Sequence, residues 1–227
     1  MMPLPDNPVY DALCSRDAHL GTRIGPLAWF DAEVSPFAGF PTSHAGGLRE
    51  LCERLPAGRR ILHASRTPVR DFGGWATAAI VEGLQFVYEG AAPGMPPDAR
   101  LVPLGPEHAA EMVALAALTK PGPFDIRTIE FGNYYGVFDK GRLVAMTGQR
   151  LHPPGYAEIS AVCTHPEHLG KGYAAALIAK QLDLIRATGD TPFLHVRADN
   201  DRAIALYGRL GFRVSGPMHF YFLRKTL

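Results

Sequence analysis

A strand-like run of β-branched residues ends in a loop with two closely spaced glycines, and a helical pattern follows at once. Gly170 and Gly172 lie in this loop, and the helical pattern runs from Gly172 to Ala187. Such a junction points successive backbone N–H groups and the positive end of a helix dipole at one place. Glycine also lets the backbone approach a ligand without a Cβ atom between them. The junction therefore predicts a pyrophosphate site.

The glycine spacing alone also fits other readings. Gly-x-Gly-x-x-Ala matches a dinucleotide fingerprint, but that fold needs a carboxylate at the end of the next strand, and Asp190 lies before the strand Phe193 to Arg197. Lys171 is not followed by Ser or Thr, so the phosphate-loop lysine motif is absent. A helix start with glycines that serve only packing stays open at this point.

A second segment, Asn200-Asp-Arg-Ala203-Ile-Ala-Leu-Tyr207-Gly-Arg-Leu-Gly211-Phe212, carries a more specific pattern. Asn-x-x-Ala-x-x-Leu-Tyr followed by Gly-Phe resembles the second coenzyme A segment of the GCN5-related N-acetyltransferases (GNAT). Asn200 and Tyr207 are seven residues apart, so they share one helix face about 10 Å apart. Asn200 also suits an N-cap, Tyr207 a core position and Gly211 the residue after the helix. We expect the capping and cofactor roles of Asn200 together.

The first GNAT signature, Gln or Arg followed by x-x-Gly-x-Gly or Ala, falls on Leu169 to Ala174, and Leu169 departs from it. Because pyrophosphate is held mainly by backbone amides, this departure should weaken one side-chain contribution without abolishing the site. The stretch Glu158 to Thr164, the later Pro192-Phe-Leu-His-Val and the ending Leu-Tyr-x-x-x-Gly-Phe are similar to the FR47-like subgroup. The resemblance covers about Asp98 to the C-terminus.

The resemblance implies an acetyltransferase that uses acetyl-coenzyme A as cosubstrate and transfers acetyl directly to an amine in a ternary complex. The strand Val162 to Thr164 would pair with the pantetheine arm, and a backbone N–H near Val162 would polarise the thioester carbonyl. The implied cofactor-binding residues are Val162, Cys163, Thr164, Leu169, Gly170, Lys171, Gly172, Tyr173, Ala174, Asn200 and Tyr207.

Two side chains are candidates for the proton transfers. Tyr207 would donate a proton to the departing thiolate, whose thiol titrates near 8.5. Glu158 lies eleven residues before Leu169, where histone acetyltransferases of the superfamily carry a general-base glutamate. Since amines titrate between about 8 and 10.4, a base acting directly or through water is warranted. A solvated strand carboxylate is the other reading of Glu158.

Cys163 suggests an acyl-enzyme and His165-x-x-His168 suggests a metal, but neither prediction is favoured. No His and acid partner is placed beside Cys163 by the sequence, and the superfamily generally transfers directly. The histidine spacing fits no common zinc pattern, and the same loop is needed for phosphate. We therefore expect no metal.

The acceptor wall is expected in the segment Thr119 to Phe124 and just after it. Its prolines and glycine suit a shaped loop, and Phe124 and Arg127 are candidate substrate-binding residues. Arg127 equally suits a solvated helix face. The acceptor is expected to be a small molecule, amino acid or peptide bearing an amine. A non-catalytic coenzyme A-binding sensor or structural protein is the alternative function.

Composition limits the partners. The chain has 227 residues, 47% of them hydrophobic, with 23 Lys plus Arg against 22 Asp plus Glu, a net charge of +1. Nothing in this balance favours nucleic acid or an anionic membrane. Three separated cysteines make no disulfide framework, and no leader or membrane-spanning run is recognised. We expect a cytoplasmic protein, with a homodimer left open.

The order of elements predicts an α/β fold, namely the GNAT fold with a mixed central sheet and helices on both faces. A Pro/Gly-rich linker at Gly90 to Pro97 divides an N-terminal α/β region, residues 1–92, from a GNAT domain, residues 98–227. The N-terminal region has no assigned role, and a degenerate half of the same fold is one reading of it. Predicted strands are Arg60–Ala64, Leu84–Tyr88, Leu101–Leu104, Tyr134–Asp139, Leu143–Leu151, Tyr156–Thr164, Phe193–Arg197, Phe212–Val214 and His219–Leu223. Predicted helices are Pro8–Leu20, Gly47–Leu55, Pro106–Leu118, Phe124–Phe131, Gly172–Ala187 and Asp201–Leu210.

Overall fold

The computed structural model describes residues 6–90 and 100–226, which form a large mixed sheet, a small sheet and flanking helices. The strands are β1 Gly21–Ile24, β2 Leu27–Phe30, β3 Ala38–Gly39, β4 Arg60–Ser65, β5 Trp75–Tyr88, β6 Val102–Pro103, β7 Tyr135–Asp139, β8 Arg142–Gln149, β9 Tyr156–Thr164, β10 Thr191–Arg197 and β11 Phe212–Lys225. The helices are α1 Pro8–Leu13, α2 Gly47–Arg54, α3 Ala109–Thr119, α4 Tyr173–Ala187 and α5 Asp201–Arg209. The predicted α/β class is confirmed.

The large sheet has eight strands in the order β4-β11-β5-β10-β9-β8-β7-β6. Its described pairs are antiparallel except β9 with β10, which run parallel. Both β4 and β5 come from the first ninety residues, and β5 lies between β10 and β11. The N-terminal region therefore completes the same sheet as the C-terminal region. The division at residues 90–97 stays a prediction about chain segments.

Helices cover both faces of the sheet. Neighbouring residues of a strand point to opposite faces, and Leu143 and Val144 of β8 show the two sides. Leu143 packs in one buried cluster with Met112 of α3, whereas Val144 packs with Leu177 of α4. This arrangement confirms the predicted layers, in which α4 closes one face beside the chemistry-bearing loop.

The prediction of a helix over Phe124–Phe131 is wrong, because only a 3-10 turn at Thr128–Phe131 forms there. The hydroxyl of Thr128 accepts a hydrogen bond from the backbone N–H of Asp125 at 2.8 Å and donates one to the carbonyl of Val34 at 2.7 Å. Such side-chain bonds to the backbone compete with a helical ladder. They also fasten this segment to the N-terminal region.

The C-terminal strand is longer than predicted. Two short strands separated at Gly216-Pro217 were expected, whereas β11 is continuous with a register shift between Val214 and Gly216. A bulge accommodates a proline that cannot donate to the ladder. Lys140 and Gly141, with φ of 49° and 77°, form the turn of a hairpin that joins β7 to β8. No strand is predicted from the sequence at the positions of β1 to β3.

The predicted linker falls mostly on residues 91–97, which lie outside the described residues. Among the helices that the structure does describe, none has the length and apolar character required to cross a bilayer.

Candidate active site

A gap between β9 and β10 lies at the centre of the large sheet. Their parallel pairing covers only Thr191 to Phe193 against Tyr156 to Glu158. Beyond it β10 continues to Arg197 beside β5, while β9 continues to Thr164 beside β8. The two strands therefore separate after Glu158, and each remains bonded to its outer neighbour. This leaves a slot between them with strand edges on both sides.

A bulge in β9 lies beside this slot. Ala161 has a φ of 53°, and the register with β8 shifts between Met146 and Gly148. A non-glycine residue in this left-handed region costs of order 1–3 kcal/mol and persists only where its surroundings enforce it. The bulge turns Val162, the residue predicted to face the thioester carbonyl, toward the cavity that it lines.

The glycine loop at the end of β9 enters α4 through two residues in the left-handed region. Gly170 and Gly172 have φ of 79° and 80°, and Gly172 is the N-cap of α4 with no side-chain cap bond. A Cβ atom built on either glycine would meet no atom within 4 Å. Glycine is therefore required for the backbone angle, and the site stays accessible. The first N–H groups of the 15-residue helix α4 lack intrahelical partners.

Helix α5 supplies the second wall of the slot. The side chain of Asn200 accepts a hydrogen bond from the backbone N–H of Ala203 at 3.1 Å, which confirms the predicted N-cap. Tyr207 is 7% exposed and packs against Phe86 and Phe212. Burial raises the pKa of Tyr207 to about 12. Its hydroxyl is protonated at neutral pH, as that of an unperturbed tyrosine also is.

These features line one cavity of about 1390 Å³. It is lined by residues of β9, the glycine loop, α4, β10 and α5, together with Phe124 from the predicted acceptor loop. All the predicted cofactor residues lie on it: Val162, Cys163, Thr164, Leu169, Gly170, Lys171, Gly172, Tyr173, Ala174, Asn200 and Tyr207. The structure thus brings together two segments about thirty residues apart in the sequence.

Glu158 lies behind the cavity wall and is held by two basic side chains. Arg150 reaches it with two hydrogen bonds of 2.8 and 2.6 Å, and His195 Nδ1 lies 2.7 Å from the same carboxylate. Burial raises the pKa of Glu158, but Arg150 and then His195 outweigh this and lower it to about 2. The solvated reading of Glu158 is wrong, because the residue is 0% exposed. Its role as general base stays a prediction.

Arg127 is not brought to the cavity among the described residues that line it. Its guanidinium binds Glu130 at 2.7 and 2.8 Å and Asp31 at 3.1 Å. The bond to Asp31 fastens the 3-10 turn to the N-terminal region, whereas Glu130 belongs to the turn itself. The candidate role of Arg127 in substrate binding is therefore not supported by its position, whereas Phe124 does line the cavity and packs edge-on against Tyr134 at 5.8 Å.

The remaining sequence hypotheses concern Cys163 as a nucleophile and the two histidines of the glycine loop, His165 and His168, as metal ligands. Burial raises the pKa of the Cys163 thiol to about 11, which disfavours a thiolate nucleophile. The ligand atoms of His165, Glu167 and His168 lie within 4.8 Å of one another. Arg142, however, lies 2.9 Å from His165 Nε2, and its positive charge opposes a cation there.

Sequence reasoning missed Arg150 and His195, which also line the cavity. Arg150 is the residue that directly follows β8, and its backbone N–H donates a hydrogen bond to the carbonyl of Glu158 at 3.0 Å. The strand alternation of β10 places His195 on the same face as Phe193 and Arg197. The pairing register, which the sequence does not reveal, brings these groups to Glu158.

The fold and the site define a class of protein, and comparisons with known proteins agree. The family described as FR47-like protein matches residues 134–222. A crystal structure of a GNAT-family member from Novosphingobium aromaticivorans is 36% identical with a TM-score of 0.90, and the match covers 98% of each chain. The chain belongs to the GNAT family of acetyltransferases.

Curated relatives match shorter segments. N-alpha-acetyltransferase RimI of Mycobacterium tuberculosis is 36% identical over 93 residues, which are 40% of this chain and 58% of that protein. Mycothiol acetyltransferase of Clavibacter michiganensis is 43% identical over 60 residues, 26% of this chain and 20% of that protein. The chain thus spans less than two thirds of the length of these relatives.

Proposed function

We propose that the protein transfers an acetyl group from acetyl-coenzyme A to a primary amine of a small molecule, amino acid or peptide, by direct attack in a ternary complex. The observation that carries the proposal is the slot between β9 and β10, which leads from the glycine loop to Tyr207 within one cavity. Names of relatives such as RimI and mycothiol acetyltransferase support the same reaction class.

The residues of the cavity fit a polyanionic cosubstrate. The left-handed glycines and the uncapped start of α4 present backbone N–H groups, and such groups bind phosphate oxygens. Arg202 and Arg209 of α5 also line the cavity. We assign phosphate binding to the loop from Gly170 to Gly172 and pantetheine binding to β9 from Val162 to Thr164. When bound, acetyl-coenzyme A supplies an activated thioester.

The chain's own groups would serve the transfer as follows. The backbone N–H of Val162 stabilises negative charge that develops on the carbonyl oxygen. Tyr207 Oη, which carries its proton at neutral pH, donates this proton to the departing sulfur. We assign the general-base role to the Glu158–His195 pair, in which His195 takes the proton of the attacking amine and the Glu158 carboxylate stabilises the imidazolium that forms. Glu158 itself lies behind the wall, whereas His195 lines the cavity and touches the Glu158 carboxylate.

A screen of amines, amino acids and peptides tests the proposal. Each is mixed with protein and acetyl-coenzyme A, and release of free thiol is measured. Acceptor-dependent release supports the transferase. Saturable coenzyme A binding without acceptor-dependent release across a broad panel would instead indicate a sensor or structural protein, for which the exposed Leu169 at the Gln or Arg signature position is the motivating observation.

A further inference from the structure

We call the part of this cavity that lies beyond the cofactor slot the acceptor chamber. It is lined by residues of β4, β5 and β11, by the loop that follows α3, and by Pro36 and Phe37 just before β3. Apolar side chains dominate its walls, including Phe37, Leu62, Phe220 and Phe222. The ring of Phe220 lies 5.5 Å from that of His195. The chamber therefore adjoins the buried Glu158 network and is the space left for an acceptor.

The charge of the cavity wall is one-sided. Among the described residues that line it are six arginines and two lysines but no aspartate or glutamate, although the whole chain has a net charge of only +1. Lys171 and the arginines of α5 lie on the cofactor side, and Arg150 is neutralised by Glu158. Arg197 is paired with Asp199. Among the described residues this leaves Arg60, Arg224 and Lys120 without such an explanation. An acceptor with a second ammonium group would meet no carboxylate on this wall.

Two of these cations lie directly opposite each other on neighbouring strands. Arg60 of β4 and Arg224 of β11 are direct partners in the antiparallel register, so their side chains leave the sheet on the same face. Like charges opposite each other destabilise a sheet. Within residues 6–90 and 100–226, neither guanidinium has an ion pair or side-chain hydrogen bond. Two guanidinium groups on one face suit a carboxylate or phosphate, which they bind in bidentate fashion.

We propose that the acceptor amine carries an anionic group and that Arg60 and Arg224 bind this anion at the far end of the apolar chamber. The inference rests on the proposed acetyl transfer and adds the substrate class. Arg224 lies four residues beyond Phe220 on β11, a distance of about 13 Å along a strand. The acceptor is therefore elongated, with its amine near His195, an apolar middle part against Phe222, and a distal carboxylate or phosphate.

Matched acceptors test this charge preference. The set is 8-aminooctanoate, 8-aminooctyl phosphate, octylamine and 1,8-diaminooctane, together with one tripeptide that has a free or an amidated C-terminus. The expected result is a kcat/KM about 10-fold to 100-fold higher for the anionic members, the range for a charged hydrogen-bonded contact. Comparison of 8-aminooctanoate with 8-aminooctyl phosphate shows whether the site prefers a carboxylate or a phosphate. Equal rates for anionic, neutral and cationic members would overturn the inference but leave acetyl transfer intact.

Variants locate the anion site. Arg60→Gln and Arg224→Gln should remove the preference for anionic acceptors while leaving acetyl-coenzyme A affinity unchanged, as measured by calorimetry. Arg213→Gln is the matched control, because Arg213 is an exposed arginine of the same strand that pairs with Glu89. Arg224→Glu should reverse the preference toward 1,8-diaminooctane. If Arg213→Gln lowers the preference as much as the two variants, or Arg224→Glu leaves it unaltered, the assigned site is wrong. Absence of thiol release with every amine would overturn the proposed function as well.

Discussion

The carboxylate of Glu158 is fully buried and receives both hydrogen bonds of the Arg150 guanidinium, at 2.8 and 2.6 Å. Its pKa is lowered to about 2 in the folded protein, against about 4.3 in an unfolded chain. The unfolded state therefore binds more protons between these values. The stabilisation is fully present above about pH 5 and is lost as the pH falls toward 2. Urea unfolding at a series of pH values should show this loss.

Glu158→Gln should lower the free energy of unfolding near neutral pH by about 3–5 kcal/mol, because it leaves the charge of Arg150 buried without its partner. The variant should also lose less stability than the native protein on acidification. Asp199→Asn is the control, since Asp199 forms an exposed pair with Arg197, and it should change stability little. Identical acid sensitivity of the native protein and Glu158→Gln would contradict the buried-pair account.

Glu158→Gln should also shift the pH dependence of turnover to higher pH, because only spontaneously deprotonated amine would react.

Gly172→Ala should weaken coenzyme A binding sharply, and Gly172→Val more so, because both distort the left-handed N-cap that aims the first amides of α4. Gly189→Ala is the matched control. Gly189 has a φ of 82° at the other end of the same helix, so its substitution brings a similar strain of about 1 kcal/mol without touching the site. Calorimetry should also show little loss for Lys171→Ala. Equal weakening by Gly189→Ala, or a larger loss from Lys171→Ala, would contradict the phosphate cradle.

Tyr207→Phe keeps the ring that packs against Phe86 and Phe212 and deletes the hydroxyl. We expect kcat to fall about 10-fold to 10⁴-fold with little change in coenzyme A affinity, the pattern of an interaction made in the transition state. Stability should change modestly. An unaltered kcat, measured where chemistry limits the rate, would remove Tyr207 from the mechanism and leave a water as the proton donor.

Cys163→Ala should retain acetyl transfer. The native thiol has a pKa raised to about 11 by burial, so it should resist alkylation by iodoacetamide near pH 7, while the half-buried Cys14 and Cys52 react faster. Peptide mapping after timed alkylation measures the three rates. Loss of all turnover in Cys163→Ala, with coenzyme A binding intact, would be evidence for an acyl-enzyme.

The local structure around the proposed cofactor site could be predicted from the sequence because it depends on local patterns. Gly170 and Gly172 needed only a strand before them and a helix after them, and the structure has both. Asn200 was predicted as a cap from its side chain and position, and it caps α5. Helix boundaries at these glycines and caps follow from short-range chemistry.

The proposed acceptor site could not be predicted from the sequence because it depends on long-range pairing. Arg60 and Arg224 are far apart in the sequence and meet only through the register of β4 with β11. Likewise, β5 was predicted as Leu84–Tyr88, whereas the strand begins at Trp75. Its first half, Ala76 to Val81, pairs with β11, and no local pattern indicates that partner. The contribution of the N-terminal strands β4 and β5 to the large sheet therefore became visible only in the structure.

Transfer of a labelled acetyl group tests the central claim most directly. The protein is incubated with acetyl-coenzyme A that carries an isotopic label in the acetyl group, together with the amine panel, and both acceptor and protein are analysed by mass spectrometry. Direct transfer predicts label on the amine of an acceptor, none retained on Cys163, and slower labelling with Tyr207→Phe at unchanged coenzyme A affinity. Thiol release without labelled acceptor, or label that accumulates on the protein before it reaches the amine, would contradict the account.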